Sequence, residues 1–147
     1  MTAYPVVLTL AVVAMVAAGC EEQDTSRLSP GREQHYESEG ITRRANDITF
    51  RYTRDPAGRG EKWEDRLASV VVTRSSFLIH KNGKVGIEVT PRTQRDVEVQ
   101  RSGQRVRVRT GTGRSEEIWS FEPPDDAPGW TTDIRAVINA SRARPTR

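Results

Sequence analysis

The chain has a single cysteine, Cys20, so no disulfide can form within it. Any exported domain must be stable through its core alone. Histidine is nearly as scarce: His35 and His80 are the only two, and their separation offers no metal-ligand spacing. There is no Gly-x-Ser-x-Gly, no His-Glu-x-x-His and no phosphate loop. The adjacent acids Glu116-Glu117 would point to opposite faces of a strand, and Asp125-Asp126 would serve as caps near a helix start. Gly111-Thr112-Gly113 reads as a loop between strands. No catalytic constellation emerges, and neither a cofactor nor a metal is expected. Lysine is rare too: only Lys62, Lys81 and Lys84 stand among 23 basic residues, an arginine excess that reads as genome composition. No internal repeat is evident.

What is present begins at the N-terminus. Residues 1–19 carry no charge, and Val6 to Val16 forms an apolar run of the length a secretory signal needs. Small residues follow, Ala17-Ala18-Gly19, and then Cys20. This resembles the lipobox of bacterial lipoproteins, in which the cysteine is lipidated and becomes the new N-terminus. Two features depart from the pattern. No Lys or Arg precedes the apolar run, and Ala17 stands where leucine is usual. The alternative is an uncleaved membrane anchor, for which the run lies at the lower length limit. Either reading places the remainder outside the cytoplasmic membrane, tethered at the bacterial cell envelope.

Residues 20–46 show almost no apolar periodicity; Leu28, Tyr36 and Ile41 are the only sizeable apolar residues. Such a segment buries too little to offset its ordering entropy, which predicts a flexible, disordered tether. It is acidic: Glu21 to Asp47 holds seven acids and four bases, against a chain total of +3. The rest is therefore basic, as a solvated surface of mixed charge or as one suited to anionic partners.

From Asp47 onward the pattern is β-like. Ile48, Phe50 and Tyr52 alternate; Leu67 to Thr73 is dense in valine. Phe77-Leu78-Ile79-His80 and Val85-Gly86-Ile87-Glu88-Val89 flank Asn82-Gly83, a strong hairpin signal. Asp96 to Gln100 and Arg105 to Arg109 alternate cleanly. A turn centred on Ser102-Gly103 would pair Val99 with Val106, Glu98 with Arg107, Val97 with Val108 and Asp96 with Arg109. All four valines would then face inward. Arg105, Arg107 and Arg109 form the one candidate binding stripe, suited to an anion. With carboxylates opposite, the same stripe reads as a self-neutralised outer face. No aromatics interleave with it, which argues against nucleic acid.

Glu116 to Phe121 reads as a last strand, stopped by Pro123-Pro124. The period then changes: Ala127, Trp130, Ile134, Val137, Ile138 and Ser141 fall at helical spacing, with Asp125 or Asp126 placed to cap an early start and Thr131 or Thr132 a later one.

Seven strands followed by one amphipathic helix, with Trp130-x-x-x-Ile134-x-x-x-Ile138 on that helix, resemble the pleckstrin-homology (PH) superfold. The resemblance covers 47–143, leaving 144–147 as a tail. It implies a mainly β domain, a small antiparallel barrel of two sheets with the C-terminal helix across one open end. Lipocalin-like and other small antiparallel barrels also fit the strand pattern. PH domains that bind phosphoinositides use basic residues around the first loop. Here Arg54, Arg59, Lys62 and Arg66 are matched by Asp55, Glu61, Glu64 and Asp65, which leaves no basic funnel. The broader superfold serves protein binding. The expected function is therefore a membrane-anchored module for an envelope protein or peptide. The alternative is a small envelope enzyme or ligand carrier.

Overall fold

The computed structural model describes residues 28–58, 60, 62–81, 84–92 and 96–143. The leader, Cys20, the Asn82-Gly83 turn and the tail 144–147 lie outside the described residues.

Seven strands form one antiparallel sheet: β1 (Ile41–Arg54), β2 (Lys62–Thr73), β3 (Phe77–Lys81), β4 (Lys84–Val89), β5 (Val97–Ser102), β6 (Arg105–Thr110) and β7 (Glu117–Phe121). Their spatial order is β4-β3-β2-β1-β7-β6-β5. The sheet curls into a half-barrel, and one long C-terminal helix, α2 (Ala127–Arg142), packs against it. The expected β domain with a C-terminal helix is present. Its two halves are continuous through β1 rather than separate sheets.

The curl originates in β1. This strand pairs with β2 along its length and with β7 only from Phe50 to Arg54. Its ladder to β2 shifts register between Ala45 and Ile48 and again before Phe50, with Asp47 at a positive φ of 53°. Such bulges bend a strand and increase its twist, which lets a single strand serve both halves.

The concave face is the core. Phe50 and Tyr52 of β1, Val70 and Val72 of β2, Ile79 of β3 and Ile87 of β4 are buried there. So are Val97, Val99, Val106 and Val108, with Trp119 and Phe121. Trp130, Ile134, Val137 and Ile138 of α2 complete it. Asp126 is the N-cap, accepting from the Gly129 N–H at 3.1 Å, so the early start is the one realised. Gly86 lets β4 pass Trp119 closely: a Cβ there would stand 2.5 Å from the indole.

The tether expectation requires correction. A flexible, disordered tether is expected over residues 20–46, yet α1 (Pro30–Glu39) and the first part of β1 fall inside that range, while residues 20–27 lie outside the described residues. Tyr36 explains the helix. Its ring is buried with Val71 and Leu78 on the convex face, flanked by Leu28 and Ile41. One aromatic anchor produces no periodicity for a pattern search to detect. Ile41 to Asn46 gains its order from pairing with the valine-rich end of β2.

Candidate binding groove at the β5 edge

The β5–β6 hairpin departs from the expected register by two residues. Ser102 pairs with Arg105, leaving a two-residue turn of Gly103 and Gln104. Gly103 has φ 61° at the first loop position, as a tight hairpin turn of the II′ kind requires. A shift of two preserves the faces, so all four valines remain inside. It changes every cross-strand partner. Glu98 meets Arg109, Gln100 meets Arg107 and Val99 meets Val108.

The arginine stripe is therefore not uniformly neutralised. Arg109 donates to Glu98 at 2.6 Å and lies 3.6 Å from Glu116. Arg105 donates to Glu122 at 2.6 Å. Arg107 is exposed, between Gln100 and Ser120, and meets no carboxylate among the described residues. Beside it a surface hollow of about 420 Å³ is lined by Thr49, Arg51, Arg105, Ser120, Glu122 and Pro124. Glu122 neutralises Arg105 at its rim, which weakens the hollow as an anion site.

A second feature brings in Arg135, Asn139 and Arg142 of α2, which the sequence pattern alone did not mark. β5 is an edge strand, bonded to β6 on one side only. Its open side faces α2 across a groove of about 310 Å³ lined by Val97, Glu98, Val99, Gln100, Arg135, Ile138, Asn139 and Arg142. Arg142 donates to the Val97 carbonyl at 2.6 Å and Arg135 to the Val99 carbonyl at 3.4 Å. These two carbonyls thus point away from β6. Strand alternation aims the N–H groups of Val97, Val99 and Arg101 the same way. The groove presents backbone donors and two guanidinium groups, with part of the edge's acceptor capacity already occupied. Arg142 also lies 3.8 Å from Asp96. The signal in the sequence was a polar row, Arg135, Asn139 and Arg142, at helical spacing beside the apolar stripe.

Among the described residues no cluster of three potential metal ligands occurs, and no helix is long and apolar enough to cross a membrane. His35 sits on α1, 3.3 Å from Glu39, whereas His80 is buried on β3. No family model matches the chain, and no curated protein matches it.

Proposed function

We propose that the chain is a lipid-anchored, extracytoplasmic, PH-like binding module that takes an extended acidic segment of an envelope protein along β5. One observation carries the reading: an edge strand with outward N–H groups lies beside two arginines of the adjacent helix. An added strand would use those N–H groups, and its carboxylates would draw Arg135 and Arg142 away from the Val97 and Val99 carbonyls. Main-chain bonds then supply affinity, and the arginines supply preference for acidic side chains. Anchoring comes through Cys20 in this reading, because the leader resembles a lipoprotein signal. The concave face supports surface binding over a carrier role, since aromatic and aliphatic side chains fill it.

Fluorescence anisotropy with an alternating Glu-Val peptide tests the groove. Binding should weaken at high salt and fall at least severalfold in the Arg135→Ser/Arg142→Ser double variant. N-methylation of alternate peptide amides should abolish it in one phase only, because a strand bonds through every second residue. Equal binding by both N-methylated series, or by the double variant, rejects strand addition at β5. For the anchor, Cys20→Ala should leave the precursor uncleaved. Normal processing of that variant rejects lipidation.

A further inference from the structure

The helix α1 lies between the proposed anchor and the half-barrel, and little holds it there. Pro30 occupies its first turn, and Ser29 at the N-cap makes no side-chain capping bond. Its last turn has no basic residue, and Gly40, at φ 78°, ends it. A free helix of this length is marginal in water, so its order depends on docking. Tyr36 is its one fully buried side chain, in a cluster separate from the main core. The other contacts are polar. Tyr36 donates to Glu88 at 2.5 Å, Thr73 donates to Glu39 at 2.7 Å, and Arg44 pairs with Glu33. A hollow of about 430 Å³ remains between its first turn and β1, lined by Leu28, Pro30, Glu33, Arg44 and Asn46.

We propose that α1 is a releasable clasp: docked, it holds the domain close to its membrane anchor, and undocked it lengthens the tether and uncovers Val71 and Leu78. The reach depends on Cys20 being the anchor, as read above. With α1 docked, residues 21–27 span at most about 25 Å. With α1 released and extended, residues 21–40 span at most about 70 Å. The same event exposes an apolar pair on the convex face, remote in the strand order from the β5 groove. Segments with few buried apolar contacts open locally without global unfolding, and α1 is built as one.

Native-state proteolysis of the full chain in vesicles tests the clasp. Arg32 is the only trypsin site within α1. Cleavage after Arg32 reports its opening, because a docked helix does not fit a protease site. In the wild-type chain this cut should precede any within β1–β7. Tyr36→Ala should accelerate it on the order of tenfold with barrel cleavage unchanged, and Tyr36→Phe should have an intermediate effect. A dye on Gln104→Cys should show weaker energy transfer to a lipid-embedded acceptor when Tyr36 is Ala. Cleavage at Arg32 in step with the barrel, or equal transfer in the two proteins, overturns the clasp. A chain that fails to float with the vesicles overturns the anchor instead, and the cleavage comparison still decides whether α1 opens alone.

Discussion

Arg43 ties β1 to α2 through one side chain that meets the helix at three residues. Its Nε donates to Asp133 at 2.6 Å, and a terminal nitrogen donates to Asp126 at 3.1 Å. Its guanidinium lies 5.9 Å from the centre of the Trp130 ring. The bond to Asp133, ahead of that to Asp126, holds its pKa above the ordinary arginine value against the opposing effect of burial. The two acids are half exposed, so each ion pair alone is worth little. The ring contact adds about 0.5–1 kcal/mol. Arg43→Ala should therefore cost about 1–2 kcal/mol in all. In a domain of this size that is a fall in Tm of roughly 4–16 °C, measurable by circular dichroism. High salt should narrow the gap between the two proteins only in part, because the stacking persists. An unchanged Tm would mean that the helix start is held by packing alone.

At the level of elements, strand faces were legible in the sequence and cross-strand partners were not. The β5–β6 alternation dictated which residues face inward. Two turns satisfied it, one centred on Ser102-Gly103 and one made of Gly103-Gln104. Both keep every valine inside, so hydrophobic patterning could not choose between them. The left-handed conformation of Gly103 decided the matter, and Arg107 lost its carboxylate partner. The α1 helix was illegible for another reason: a single buried ring leaves no period. The groove on β5 was half legible, since the arginine row on α2 is visible but its reach to β5 carbonyls is a tertiary fact.

Docking of α1 should be bounded in pH at both ends. Burial alone would raise the Glu39 carboxyl, but bonds from Thr73, Ser76 and Ser75, with His35 nearby, hold it below its ordinary 4.5. A depressed carboxyl stabilises the docked state above its unfolded value and loses that contribution as pH falls through the folded one. Burial, then the bond to Glu88, pushes Tyr36 well above its ordinary 10.0. A raised phenol contributes fully below that value, and the contribution declines as pH climbs past it. Hydrogen exchange of the α1 amides, corrected for intrinsic rates, should show protection at neutral pH and loss below about 4.5 and above about 10. The β2 and β3 amides should stay protected further in both directions. Uniform loss across α1 and the sheet would show that the helix belongs to the global unfolding unit.

On the scale of the whole molecule, the half-barrel has two edges, β4 and β5, and α2 reaches both sides of the opening. It packs mostly along β5 and also touches β2, β3, β4 and β6. Trp130, Ile134 and Ile138 are almost wholly buried against the sheet. The Trp130 indole N–H donates to Asp125 at 3.0 Å, so the ring is held at its polar end as well. Removing this side chain takes away a large aromatic and leaves a cavity lined in part by Phe121, whose ring meets it edge-on at 6.0 Å between centroids. Trp130→Ala should cost about 3–5 kcal/mol. A domain of this size has about 5–15 kcal/mol in total, so the loss consumes much of its stability. Arg142→Ser, on the same helix, removes only a half-exposed donor and should cost within about 1 kcal/mol. Urea unfolding of both variants distinguishes the roles of the two faces of α2. The midpoint for Trp130→Ala should fall steeply while that for Arg142→Ser stays near wild type. Comparable losses would mean that the arginine bonds to β5, rather than the apolar stripe, hold the helix, and then the groove would not be free to open for a ligand.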